Sequence, residues 1–263
     1  MSANAPIDYV AFDDAMNRVS AGSLGTEIDC NGYRELSGAI PSALIELMRE
    51  SISAQLVANG GEYFGLAGGD WFIDTPLAPL LMGSALIGLL SRLYEYQMHA
   101  ASTSNRITAS LRVVAGVRGL RHANRYHYDS YVVTALLPII IPDAGDEPPG
   151  SLVMFPNLRR VRRSAVVNII EKLLVENALS RRLWSLRPVQ HLAGATPVML
   201  KPGNLYLFWG MRSLHANLAC LPSSVRATVI FHFGDPHATS PAKRLSGQLH
   251  QLKLRWLDRP RIF

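Results

Sequence analysis

A chain of 263 residues can bury one substantial core without needing a second domain, and 48% hydrophobic against 17% charged residues excludes a disordered polymer. The formal charge of +6 admits an acidic partner, but no aromatic residues interleave the cationic runs as a nucleic-acid stacking surface requires, so those runs read as solvated surface. The only two cysteines, Cys30 and Cys220, stand in no zinc-like spacing and point to a reducing, cytoplasmic setting.

The N-terminal stretch MSANAPIDYVAFDDAM is polar and acidic, without a basic start or an apolar signal core. Residues 1–105 read as mainly helical: Ile40, Leu44, Leu47, Met48, Ser51 and Leu56 recur near the 3.6-residue period. Gly60 to Trp71 carries glycine pairs but no GKS/T ending and no clear strand before it, so a flexible loop near a site entrance is expected. Pro76 to Leu90 is the most apolar stretch, yet it contains Pro79 and Gly83 and is too short to span a bilayer. It reads as a buried helix, capped by Thr75 with Pro76 in the first turn and running on towards His99.

From Arg106 the texture changes to short, β-branched and apolar runs: ITASLRVVAG, YVVTALLPIII, SLVMFP, NLYLFWG and RATVIFHFG, separated by Pro and Gly clusters. This is the punctuation of an antiparallel sandwich or barrel occupying about 106–235. One helical insertion, about 164–185, interrupts it, with Val167, Ile170, Leu174 and Leu183 on an apolar face. Arg159, Arg160, Arg162 and Arg163 precede the insertion, and residues 236–263 form a basic tail. The predicted architecture is a single domain, mainly β with flanking helices (α+β), and no membrane segment.

His127 and Asp129 lie just before YVVTALLPIII, and His215 follows NLYLFWG. Residues two apart in extended backbone point to the same side, so both donors of His-x-Asp can face one ion. A second imidazole from a distant strand would complete the two-His-one-carboxylate set of an open iron(II) site.

With Arg226 eleven residues beyond His215, inside HANLACLPSSVRATVIFHFG, the chain resembles the iron(II)/2-oxoglutarate-dependent dioxygenase superfamily, small-molecule hydroxylase-like branch, over about Ile107 to Phe233. The resemblance implies a double-stranded β-helix (jelly-roll, cupin-like) core. It implies iron(II) on His127, Asp129 and His215, with 2-oxoglutarate and O2 as co-substrates. Arg226 would pair with the distal carboxylate of 2-oxoglutarate, its planar fork matching two oxygens. Thr228 makes an Arg-x-Thr version of the family's Arg-x-Ser pattern, and Thr134 and Tyr206 are further co-substrate candidates. The carboxylate of Asp129 excludes halogenation, for which family members carry Gly or Ala at that place.

Arg118, Arg121, Arg125 and Arg212 lie close in sequence to these ligands and are candidates to grip a carboxylate or amino-acid-like substrate, with Trp209 on the apolar wall. The expected activity is oxidation of a small molecule in secondary metabolism, by hydroxylation, desaturation or cyclisation, with release of succinate and CO2. Two alternatives are a nucleic-acid or protein demethylase of the same superfamily and a catalytically inactive barrel that only binds. His122 reads as a loop residue. His232 reads as one of the residues alternating with the core on the last strand.

Overall fold

A computed structural model describes residues 7–68, 70–142 and 150–241; the basic tail beyond residue 241 lies outside the described residues. In chain order the elements are α1 (Tyr9–Arg18), α2 (Ala21–Asn31), β1 (Tyr33–Leu36), α3 (Ser42–Ala58), β2 (Phe64–Ala67), α4 (Ala78–Met82), α5 (Ser84–Met98), β3 (Thr108–Val114) and α6 (Gly116–Gly119). A 3₁₀ turn (Leu120–His122) follows, then β4 (Val133–Ile140), β5 (Leu152–Phe155), α7 (Ala165–Glu176), α8 (Ala178–Trp184), α9 (Arg187–Leu192), β6 (Thr196–Val198), β7 (Leu205–Trp209), β8 (Leu214–Asn217) and β9 (Arg226–Phe233). Among the described residues, no helix is long and apolar enough to cross a membrane.

The strands form two antiparallel sheets, one of six in the order β1-β7-β4-β9-β3-β2 and one of three in the order β6-β5-β8. Strict alternation divides the large sheet into two faces. Ala109, Leu111 and Val113 of β3, Val133, Ala135, Leu137 and Ile139 of β4, Leu205, Leu207 and Trp209 of β7, and Ala227, Val229, Phe231 and Phe233 of β9 belong to the main core. They pack against Phe12, Met16, Leu24, Ile28, Leu44, Met48, Leu89 and Leu93 of α1, α2, α3 and α5. At roughly 1.5–3 kcal/mol for each large apolar side chain buried, this layer dominates the stability of the fold. The intervening residues face the small sheet, where Leu136, Tyr206 and Phe208 meet Leu152, Met154 and Val198.

The front of the chain is not only helical. Both edges of the large sheet come from it, since β1 pairs with β7 and β2 with β3. Strand β2 lies inside the glycine-rich stretch expected to be a loop; its alternate apolar residues find partners only because β3 offers a free edge. The apolar helix also starts later than Thr75 and is broken at Gly83, whose extended backbone (φ −68°, ψ 153°) ends α4 and begins α5. The hydroxyl of Thr75 accepts from the Leu77 amide and donates to the Phe72 carbonyl, closing a turn ahead of α4.

In the insertion the orientation is the reverse of the expected one. Val167, Ile170, Leu174 and Leu183 are 45–64% exposed, while Asn168, Glu171, Lys172 and Glu176 turn inward. Arg159, expected on the surface, is buried: Nε donates to the Met211 carbonyl (2.7 Å), Nη1 to Glu171 (2.6 Å) and Nη2 to Asn168 (2.8 Å). Its guanidinium also lies 3.8 Å over the ring of Tyr128, so one cation ties α7 to the segment that carries His127 and Asp129.

Candidate metal centre

Residues 126–129 are extended, with Tyr126 and Tyr128 directed into a small core with Phe155 and Leu214. His127 and Asp129 therefore point the other way. His127 and His215 exchange both backbone hydrogen bonds, at 3.0 and 3.1 Å, and residues directly opposite in an antiparallel pair carry their side chains on the same face. That pairing places the rings 4.4 Å apart between centroids. Nε2 of His127 lies 3.6 Å from Asp129 Oδ1, and Nε2 of His215 lies 3.7 Å from Oδ2. All three donor atoms fall within 4.8 Å of one another.

The surroundings of each donor suit a divalent cation. Nδ1 of His127 is 2.8 Å from the Arg125 carbonyl and Nδ1 of His215 is 3.0 Å from the Ser213 carbonyl. Each ring must donate there from Nδ1, which leaves the Nε2 lone pair aimed at the shared centre. Burial, then the neighbouring His215, pushes the His127 pKa well below the ordinary imidazole value, so the ring is neutral and able to ligate. Burial alone would raise the Asp129 carboxyl, but His215, His232, His127 and the Thr134 hydrogen bond more than offset it, and the group stays ionised.

The hydroxyl of Thr134, a co-substrate candidate from the sequence, donates to Asp129 Oδ2 at 2.6 Å. The hydroxyl oxygen of Thr134 lies 3.3 Å from His232 Nδ1. Since the Thr134 proton is already given to Asp129, His232 donates to Thr134, and His232 stands second in line behind the carboxylate, stacked on Tyr131. Gly210 closes this corner: its carbonyl accepts from the Asp129 amide at 2.9 Å, and a Cβ there would strike both Thr134 and the Asp129 side chain.

On β8 the residue two beyond His215 is Asn217, whose Oδ1 accepts from Arg226 Nη2 at 2.7 Å. Arg226 is 1% exposed, its Nε has no partner, and burial lowers its pKa to about 10, so it stays charged at neutral pH. Among the described residues no carboxylate pairs with it. A buried cation without a counter-ion is costly unless an anion completes it. Thr228, next on the same face of β9, is buried, and among the described residues its side chain makes no hydrogen bond. The donor set and a buried guanidinium with an unpaired Nε thus fit a divalent metal and a carboxylate co-ligand.

Other expected contacts lie elsewhere. The hydroxyl of Tyr206 donates to the Met199 carbonyl (3.0 Å) and accepts from the Lys201 amide (2.9 Å). Trp209 points to the helical side of the sheet, stacked on Tyr96 with Nε1 donating to Asp29 at 3.0 Å. Arg212 bonds Asp29 (2.6 Å) and Gln97 (2.7 Å) on that same side. Arg118 and Arg121 do not line the cavity beside the metal cluster, whereas Arg125 does. That cavity has a volume of about 530 Å³ and is also lined by Tyr63, Arg112, Lys172, Arg181 and His232. Period-two counting from recognised positions would have reached Asn217 and His232; nothing in the sequence signalled Lys172 or Arg181.

No family model and no curated protein matches the sequence. Solved structures do match. A prolyl 4-hydroxylase from Phytophthora capsici superposes with a TM-score of 0.59 at 14% identity, covering 91% of this chain and 70% of that one. A prolyl hydroxylase from Trichoplax adhaerens, solved with a peptide of hypoxia inducible factor, gives 0.54 at 14%, covering 90% and 98%. SnoK, a non-heme alpha ketoglutarate dependent carbocyclase from nogalamycin biosynthesis, gives 0.53 at 15%, covering 82% and 85%. The fold is that of the iron- and 2-oxoglutarate-dependent oxygenases. At these identities the likeness is one of fold, and in this fold the chain carries a His-Asp-His cluster.

Proposed function

We propose that the protein is an iron(II)- and 2-oxoglutarate-dependent oxygenase that oxidises a C–H bond of a small molecule, by hydroxylation, desaturation or ring closure, in a natural-product pathway. The observation that carries this reading is the convergence of His127, Asp129 and His215 on one centre at the edge of a cavity. Iron(II) with 2-oxoglutarate supplies activation of dioxygen coupled to decarboxylation of the co-substrate to succinate and CO2.

The chain's own residues hold and shield that chemistry. His127, Asp129 and His215 would hold the metal. Arg226 takes the distal carboxylate of 2-oxoglutarate, satisfying its bare Nε, with the Thr228 hydroxyl as second donor. Thr134 and His232 fix the Asp129 carboxylate. The cavity volume, about 530 Å³, is in the range of small-molecule sites, which favours a compact substrate over a folded macromolecule. Soluble location in the cytoplasm and secondary metabolism as the setting belong to this same proposal.

The test is anaerobic titration of the full chain with iron(II) and 2-oxoglutarate, read as the weak visible charge-transfer band, followed by succinate release in air. Loss of the band in His127→Ala and Asp129→Ala with the fold intact is expected. A wild-type chain that shows neither band nor succinate would overturn the reading.

A further inference from the structure

The cavity beside the metal cluster is lined by four cationic side chains, Arg112, Arg125, Lys172 and Arg181, and one acidic one, Glu176. Lys172 and Glu176 are neighbours on α7, 3.8 Å apart, and offset each other. Glu176 also acts favourably on Arg181, yet one carboxylate faces several cations: among the described residues no side chain of the three arginines makes an ion pair or a hydrogen bond, and Nε of Arg181 is buried without a partner. They also come from three separate places, strand β3, the approach to His127, and helix α8 of the insertion.

A solvated surface explains single arginines but not this arrangement. Surface cations spread apart, because like charges repel and each keeps its own water. Here Arg125 and Arg181 are close enough that Arg125 disfavours the charged form of Arg181. Three guanidiniums converging on one concavity, beside a metal cluster, form a receptor for negative charge. Arg226 does not line this cavity, and its Nη2 is tied to Asn217; Arg112, opposite Thr228 on the neighbouring strand, lies between the two.

We infer that the molecule oxidised at this centre is a small organic anion whose carboxylate or phosphate group is held by Arg125 and Arg181, with Arg112 contributing from β3. The inference rests on the oxygenase reading above and adds the substrate class to it. Arg125 is two residues from His127, so the anion sits near the metal and the oxidised carbon lies within a few bonds of the acidic group. Because Arg181 belongs to the insertion, the bound anion also joins α8 to the barrel.

The experiment is calorimetric titration of the full metal-free chain with adipate, with glycerol 1-phosphate and with neutral 1,6-hexanediol. Binding of adipate or the phosphate ester, but not the diol, is expected, and which acid binds distinguishes a carboxylate from a phosphate anchor. In Arg125→Gln/Arg181→Gln the affinity should fall at least tenfold, whereas Arg118→Gln/Arg121→Gln should leave it unchanged. Arg181→Gln alone, on a short exposed helix, keeps the test valid if the double variant does not fold. Equal binding of the diol, no acid binding, or binding abolished by Arg226→Gln and untouched by the double variant would overturn the inference. Acid binding that depends on Arg125 and Arg181 in a chain showing no iron(II)/2-oxoglutarate band would instead retain the anion site and sink the oxygenase reading.

Discussion

Substituting Gly210 by alanine should disable the metal centre from behind. An added Cβ would lie 2.5 Å from Asp129 Oδ2 and 2.9 Å from Asp129 Cβ, and closer still to the Thr134 hydroxyl. Comfortable carbon contacts start near 3.5 Å, so about 1 Å must be found. The backbone cannot supply it cheaply, since the Asp129 amide is tied to the Gly210 carbonyl at 2.9 Å. The side chain must therefore swing, leaving Thr134 and turning its oxygens away from the two imidazoles. Overpacking costs about 1–3 kcal/mol, and the lost hydrogen bond to a charged group about 1.5–3 kcal/mol. Because swinging relieves part of the clash, the two overlap, and a net loss of about 2–4 kcal/mol is expected in urea denaturation of the metal-free chain. Changing a residue that merely orients a ligand typically costs 10–100-fold in metal affinity; displacing the ligand itself should reach at least the upper end of roughly 100-fold. The control is Gly22→Ala in α2, where the nearest atom to a new Cβ is 3.8 Å away. It should leave iron(II) affinity unchanged. If Gly210→Ala binds iron(II) within threefold of the parent chain, the supporting role assigned to this corner is wrong.

Thr134→Val removes the donor to Asp129 Oδ2 while keeping the volume, and should weaken iron(II) binding by roughly 10–100-fold; an unchanged affinity in anaerobic titration would count against the Thr134–Asp129 contact. Arg226→Gln should raise the concentration of 2-oxoglutarate needed for the charge-transfer band at least tenfold while leaving iron(II) binding itself intact, which the same titration separates. Arg212→Ala should lower stability by about 1–3 kcal/mol, through the loss of its bonds to Asp29 and Gln97, without changing the 2-oxoglutarate requirement. For the metal-free chain, burial holds His127 far below its unfolded value of about 6.5, at about 3. The unfolded state therefore binds the extra proton first, and stability must fall as pH drops through this window, by up to about 1.4 kcal/mol per unit. Denaturation at pH 7 and pH 5 checks the slope, which His127→Gln should flatten.

Much of the fold and of the metal centre was legible because both obey period two. The strands β3, β4, β5, β7 and β9 all fall within runs marked by their β-branched, aromatic and apolar texture, and His-x-Asp with a later histidine needs only extended backbone to face one ion. What failed did so for identifiable reasons. Strand β2 hides among glycines, since an edge strand takes its order from the neighbour it pairs with. Trp209 follows Phe208 in sequence, yet a strand sends adjacent residues to opposite faces, so nearness to His215 along the chain said nothing about nearness in space. Thr134 and Tyr206 carry suitable hydroxyls, but which partner a hydroxyl satisfies is decided by tertiary neighbours: a carboxylate in one case, two backbone groups in the other.

The insertion is the most instructive reversal. Apolar spacing at Val167, Ile170 and Leu174 normally announces the buried face of a helix, and here it marks the outer one. The inward face has a different duty. It meets Arg159, which Glu171 and Asn168 must satisfy, and beyond that a cavity rimmed by Lys172 and Glu176. A buried cation lacking partners costs more than exposed leucines do, so the helix turns its polar side to the barrel. Amphipathicity fixes the existence of two faces; the charge already buried underneath decides which one goes in. Replacing Arg159 with methionine, which keeps the bulk and removes the charge, should therefore loosen α7 from the barrel. Hydrogen exchange would show this as faster opening of residues 165–176, with the strands of the large sheet unchanged; equal protection in both proteins would mean that the arginine does not set the orientation.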